Sequence, residues 1–203
     1  LATIYILAGP NGSGKTTFYS QAISLKFIPE ELPFENLDLI ARNLGGYSEE
    51  NYAHAAEIYR KNTAKHIEAS ADFMIESNLA DSRAYDWISA IKKRGYEIVL
   101  FYISTQSLET NFERVKRRVS EGGHFVPESI IESRYFQSHS YLKTKLREFI
   151  QVYLIDNSGY QPVIQATILN GAIIEKHPNI YNWASDIISN LERINTKKSN
   201  PYF

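Results

Sequence analysis

The stretch Gly9-Pro10-Asn11-Gly12-Ser13-Gly14-Lys15-Thr16, entered from Thr3-Ile4-Tyr5-Ile6-Leu7-Ala8, decides the fold. It matches G-x-x-x-x-G-K-[ST] at every fixed position. The run before it is β-branched and apolar, the pattern of a strand buried on both faces. A helix is predicted to follow, from Lys15 to about Leu25. Glycines let the backbone turn tightly, so that successive N–H groups converge on phosphate oxygens. The helix N-terminus adds partial positive charge. On this reading Gly9, Pro10, Asn11, Gly12, Ser13, Gly14, Lys15, Thr16 and Thr17 cradle a nucleoside triphosphate, ATP or GTP. Lys15 reaches the β- and γ-phosphates, the Thr16 hydroxyl sits on Mg²⁺, and Thr17 touches the α-phosphate. The competing reading is a glycine turn with an exposed lysine, which leaves the strand-loop-helix context unexplained.

Outward from the loop, strands and helices alternate. Phe27 to Asp38 carries two prolines and reads as irregular, with a short strand near Phe34 to Leu37. Ser48 to Ser70 reads as one helix, capped by Ser48, with Ala53, Ala56, Tyr59, Ala64 and Ile67 as its apolar stripe. Further strands are predicted at Asp72 to Glu76, Tyr96 to Ile103, Val152 to Ile155 and within Pro162 to Asn170. Further helices are predicted at Ser82 to Arg94, Leu108 to Ser120, Pro127 to Phe149 with a break, and Ile180 to Ile194. This alternation predicts an α/β, P-loop NTPase fold: a mainly parallel central sheet flanked by helices, with a helical lid region. The expected organisation is one domain over residues 1–194, a lid at about 114–149 and a polar tail at 195–203.

Composition narrows the partners. A net charge of −1 supplies no global field toward nucleic acid or membrane, although a local basic patch could act alone. Neither is expected as a partner. The chain has no cysteine, which excludes disulfides, thiolate nucleophiles and cysteine-ligated zinc, and fits a cytoplasmic setting. No apolar run approaches the ~20 residues of a membrane span. A phosphate loop alone does not name a reaction, since ATPases, GTPases and kinases share it. No N/T-K-x-D base-recognition motif is present, which weakens a GTPase reading.

The remaining polar residues suggest an acceptor. Phosphoryl transfer to a hydroxyl benefits from a carboxylate that takes the proton and from cations over the transferred group. Asp38, in Asn36-Leu37-Asp38-Leu39-Ile40-Ala41-Arg42, is a candidate general base; the alternative is a helix N-cap. Glu76 closes the run Phe73-Met74-Ile75-Glu76 ahead of Ser77-Asn78-Leu79, at the C-terminal edge where ligands bind open α/β sheets. It is a candidate for holding an acceptor hydroxyl or a metal-bound water; the alternative is a solvated strand end. Arg114, Lys116, Arg117 and Arg118, then Gly122-Gly123-His124 and Arg134, have the layout of a closing lid, or of a solvated basic face paired with Glu113 and Glu121. His124 is a candidate for touching phosphate or substrate, or is a plain loop residue. Asp156 and Asn157 either line the nucleotide pocket or form a turn.

These residues, in this order, resemble the zeta-toxin family of P-loop kinases, in its compact bacterial branch. The resemblance spans about residues 3 to 160. It rests on the loop at 9–17, Asp38-Leu39-Ile40-Ala41, Glu76-Ser77-Asn78-Leu79, Arg114-Val115 and Arg118-Val119. It continues through Gly122-Gly123-His124-Phe125-Val126-Pro127, Arg134-Tyr135 and Asp156-Asn157-Ser158. The resemblance implies transfer from ATP or GTP to the 3′-hydroxyl of the sugar in UDP-N-acetylglucosamine, which blocks cell-wall synthesis. It also implies an antitoxin partner. Lys15 and Thr16 would hold triphosphate and Mg²⁺, Asp38 would be the base, and Arg118 and Arg134 the lid cations. Arg42, Glu76, Asn78 and His124 would join Asp38 on the acceptor side.

Overall fold

Strand β1 (Thr3–Ala8) leads through the glycine loop into helix α1 (Lys15–Ser24). Then come β2 (Phe34–Glu35), α2 (Leu37–Asn43), α3 (Glu49–Glu68) and β3 (Phe73–Ser77). Next are α4 (Ser82–Lys92), β4 (Glu97–Ser104), α5 (Leu108–Ser120) and α6 (Glu128–Lys145). A 3₁₀ turn at Leu146–Glu148, β5 (Gln151–Asp156), β6 (Val163–Leu169), β7 (Ala172–Lys176) and α7 (Asn182–Ser199) complete the chain. This computed structural model describes residues 1–24 and 26–199.

The seven strands form one sheet in the order β2-β3-β1-β4-β5-β6-β7. The pairs from β2 to β5 are parallel, and β6 and β7 continue the sheet antiparallel. Alternation along each strand divides the core between two faces. On one face Ile4, Ile6, Phe73, Leu100, Tyr102 and Leu154 pack with Tyr85 and Ile88 of α4, Leu142 of α6 and Trp183 and Ile187 of α7. On the other face Leu7, Met74, Phe101, Ile103 and Ile155 pack with Phe18 and Ala22 of α1. Each such side chain contributes about 1.5–3 kcal/mol by leaving water, enough that central strands hold their register. Register then aligns the strand ends: Ala8 lies opposite Ser77, and Ser104 opposite Asp156. The residues that follow each strand therefore meet at one edge.

The expected architecture is observed, with several local corrections. Leu25, expected to end α1, lies outside the described residues. The segment after Glu35 forms a helix that starts two residues before the one an Asp38 cap would open: Asn36 caps α2, its side chain accepting from the Leu39 N–H. Asp38 therefore sits in the first turn, and the N-cap reading of Asp38 does not hold. On α3 the expected stripe is rotated: Ala53 and Ala64 are exposed, and Ala55 and Thr63 are buried. The helix faces the polar end of β2, where Glu35 accepts from Asn62 Nδ2 and pairs with His66 Nε2, both at 3.0 Å. Helix α7 enters the predicted tail and continues to Ser199; residues 200–203 lie outside the described residues.

Strand β7 was missed because it is short and mostly exposed. Its signal was nonetheless present. Asn170-Gly171, with φ of 51° and 74°, joins β6 to β7 as a two-residue hairpin turn. Among the described residues, no helix is long and apolar enough to cross a membrane.

Candidate active site

The glycine loop is held from outside. Asn157, just after β5, donates Nδ2 to the Ser13 carbonyl at 2.8 Å. Asn111 of α5 donates to the Asn11 carbonyl, and Arg134 of α6 donates to Asn11 Oδ1 at 2.9 Å. These contacts fix the loop beside the cleft that opens at the start of α1, with Asn11 and Asn157 in its lining. Gly14 has φ of 89°, and a Cβ there would collide with Asn157 Nδ2. Only glycine admits both the turn and the asparagine that braces it.

Lys15 is 7% exposed. Its ammonium donates to the Gly9 carbonyl at 2.9 Å, the Pro10 carbonyl at 3.2 Å and Asn78 Oδ1 at 3.4 Å. It stands 3.5 Å from Glu76 Oε1. Burial lowers its pKa, and the Glu76 charge opposes that shift more than Asp38 does. Glu76 also accepts from Asn36 Nδ2, so the cap of α2 and the end of β3 are tied together. Asp38 Oδ1 accepts the Tyr52 hydroxyl of α3 at 2.8 Å.

A cleft of about 550 Å³ opens over the loop. Lys15, Thr16, Thr17, Asp38, Arg42 and Glu76 line it from below, and Arg114, Arg117, Arg118 and His124 from α5 and the segment after it. Lys116 is exposed. Arg118 donates Nη2 to the His124 carbonyl at 2.9 Å, and its Nε is buried without a hydrogen-bond partner. Arg114 lies near the carbonyls of Ser13 and Ser158, at 3.5 and 3.4 Å. Burial lowers its pKa, the Arg117 charge adds to this, and Asp156 opposes it. The basic helix thus turns Arg114 and Arg118 toward the cleft, which Glu121 also lines. His124 lies between the rings of Tyr47 and Tyr52, at 5.3 and 5.0 Å. Partial burial lowers its pKa, Asp38 opposes the shift, and Arg118 and Arg134 reinforce it.

Helix α6 is anchored. Ile131, Tyr135, Ser138 and Leu142 are buried, and the Tyr135 hydroxyl donates to the Thr105 carbonyl at 2.9 Å. Beneath it, His139 Nε2 bonds Ser104 Oγ at 2.8 Å and stacks on Trp183. Burial pushes His139 down to about 4. Trp183 donates to Asp156 Oδ2 at 2.9 Å, and Asp156 also accepts from the Ser158 N–H at 3.0 Å. Asp156 thus builds the turn, whereas Asn157 faces the loop. Asn36, Tyr47, Tyr52 and Asn111 escaped the sequence reading. Asn36 carried a signal, since asparagine before an apolar helical run is a cap. The other three have no local signature.

Among the described residues, no three His, Cys, Asp or Glu side chains gather to cage a metal. The donor set still suits Mg²⁺, which keeps several waters and takes few protein oxygens beside phosphates. Thr16 at the start of α1, with Asp38 and Glu76 in the same cleft, supplies such hard oxygens.

The zeta toxin family model matches residues 40–166, more than half of the chain. The chain belongs to the zeta toxin family. The match begins past the glycine loop and Asp38, so those residues stand on motif and geometry. An uncharacterized protein of Haemophilus influenzae is 27% identical over 139 residues, 63% of this chain and 88% of that protein. Among solved structures, the AvrRxo1-ORF1:AvrRxo1-ORF2 complex with sulphate ions contains a similar chain. The likeness has a TM-score of 0.67 at 17% identity, covering all of this chain and 65% of that one. The chain thus spans less than two thirds of that relative's length. A structure of the same pair with ATP gives 0.66 at 15% identity, covering 100% of this chain and 64% of that one. The PezAT chromosomal toxin–antitoxin system of Streptococcus pneumoniae gives 0.57 at 14% identity, over 98% of this chain and 88% of that one. At these identities the structural likenesses establish a shared P-loop kinase fold. Fold and family together support ATP-dependent phosphoryl transfer.

Proposed function

We propose that this member of the zeta toxin family is an ATP- or GTP-dependent kinase that phosphorylates a hydroxyl of a UDP-N-acetyl sugar, acting in the cytoplasm as one domain whose last element is α7. The observation that carries the proposal is the meeting of Lys15, Asp38, Glu76 and Arg118 around one cleft. One carboxylate would serve Mg²⁺–triphosphate binding; transfer to a hydroxyl adds the need for a proton acceptor and for cations over the transferred group, and this cleft offers both.

In this reading the loop 9–17 binds the triphosphate, and Lys15 leaves the Gly9 and Pro10 carbonyls for the β- and γ-phosphates. Thr16 would hold Mg²⁺, which would supply charge neutralisation at the phosphates. Asp38 accepts the acceptor hydroxyl proton. The acceptor oxygen forms its bond to the γ-phosphorus as the bond to the β–γ bridging oxygen breaks, and the electron pair departs with the diphosphate. Arg118 and Arg134 stabilise the spreading charge, with Arg134 also bracing Asn11. Arg42, Glu76, Asn78 and His124 seat the acceptor. The anchoring of α6 confines closure to the segment between α5 and α6. Relatives solved as two-protein complexes support a partner protein that restrains this activity.

The test is phosphoryl transfer from labelled ATP to UDP-N-acetylglucosamine. Asp38→Asn lowers kcat by about 10²–10⁴ with little change in ATP affinity. Undiminished transfer by that variant would falsify the base assignment. A panel of other hydroxyl acceptors outperforming the UDP-sugar would move the substrate class.

A further inference from the structure

The Asp38 carboxylate is held by a residue that no sequence pattern marks. Tyr52, near the start of α3, donates its hydroxyl to Asp38 Oδ1 at 2.8 Å. The phenol is the donor in this bond and the carboxylate the acceptor. One carboxylate oxygen is engaged, and Oδ2 is left to take a proton.

The ring of Tyr52 makes a second connection. It meets the His124 ring edge-on at 5.0 Å and the Tyr47 ring at 6.1 Å. His124 is seated in turn by Arg118, whose Nη2 holds its carbonyl at 2.9 Å. Gly123 lies flat on the same arginine: a Cβ there would meet Arg118 Cγ at 2.5 Å and its carbonyl oxygen at 2.8 Å. A larger residue at 123 would force Arg118 or the backbone beside it to shift. Arg118, His124, Tyr52 and Asp38 thus form one run of contacts across α5, the segment after it, α3 and α2. Its ends are the cation assigned to the transferred phosphoryl and the carboxylate assigned to the proton.

We infer that Tyr52 is a positioning residue, fixing the Asp38 carboxylate in its proton-accepting orientation and tying that orientation to the seating of His124 and Arg118. The inference rests on the reading of Asp38 as base. An undirected carboxylate samples rotamers that miss the acceptor hydroxyl, and small misplacements reduce rate steeply.

The experiment is single-turnover kinetics with labelled ATP and Mg²⁺, once with UDP-N-acetylglucosamine and once with water as the only acceptor. It compares the unmodified chain, Tyr52→Phe, Asp38→Asn and the double variant. In Tyr52→Phe the rate falls about tenfold, while ATP affinity stays within about twofold. In the Asp38→Asn background Tyr52→Phe brings no further loss, because its effect passes through Asp38. A role confined to packing would instead lower the melting temperature and act equally in both backgrounds. An unchanged rate in Tyr52→Phe, or losses that multiply, overturns the inference while leaving Asp38 as base. Full turnover in Asp38→Asn removes the base reading and the inference with it.

Discussion

Lys15 Nζ and Glu76 Oε1 stand 3.5 Å apart at the floor of the cleft, with 7% and 19% of their side chains exposed. The ammonium loses hydration there, and the carboxylate is the largest influence opposing that loss. Glu76→Gln is expected to destabilise the apo protein by about 1.5–3 kcal/mol, since it takes the charge partner from a buried ammonium. Saturating ATP brings its own negative charge to Lys15, so the gap in melting temperature narrows with nucleotide. Equal gaps with and without ATP would show that the countercharge role is misassigned.

Asn157 braces the phosphate loop through the Ser13 carbonyl. Asn157→Asp turns that donor into an acceptor facing a carbonyl, and adds a negative charge beside the triphosphate site. ATP affinity is expected to fall tenfold or more, about 1.4 kcal/mol or above, by calorimetry. Binding at unchanged affinity contradicts the bracing role.

Arg134 and Asn11 share one hydrogen bond, so their effects on ATP binding are coupled. A double-mutant cycle with Arg134→Ala and Asn11→Ala is expected to show about 0.5–1.5 kcal/mol of coupling in ATP affinity. Arg118→Ala, by contrast, lowers the transfer rate by about 10²-fold through lost charge stabilisation. Independent losses in the cycle would detach Arg134 from the loop.

His139 sets an acid limit on stability. Its folded-state value is about 4 against an ordinary 6.5, so below pH 6.5 the unfolded chain takes up a proton that the native protein refuses. Stability is retained above 6.5 and lost as pH falls toward 4. Between pH 7.5 and 5 this single group is expected to remove about 2 kcal/mol. Urea unfolding of His139→Phe at the two pH values measures it: the variant loses less than the unmodified chain by that margin. The same slope in both excludes His139 as the source.

The donor half of the site was legible because its determinants are adjacent in the chain. Strand, glycine loop and helix N-terminus lie within Thr3 to Ser24, and local sterics dictate all three. Glu76 was legible as a candidate because it ends an apolar run, and Asp38 because it is an acid flanked by leucines at a junction after the first helical unit. The start of α2 was not, this helix being short and governed by one cap, Asn36. The stripe on α3 was misplaced because its buried face is chosen by the polar end of β2, which periodicity does not encode.

What the sequence by itself determined is the nucleotide cradle, the alternation of strands and helices, and the order of the charged groups. Tertiary structure alone decided which charges face the cleft and who holds them. Arg114 and Arg118 turn inward while Lys116 is exposed. Asn111 and Asn157 reach the loop across 100 and 144 residues, and Tyr52 reaches Asp38 from another helix. Hydrogen bonds and desolvation act over a few ångströms of space, irrespective of sequence separation. These partners therefore become defined only when parallel pairing brings the strand ends to one edge.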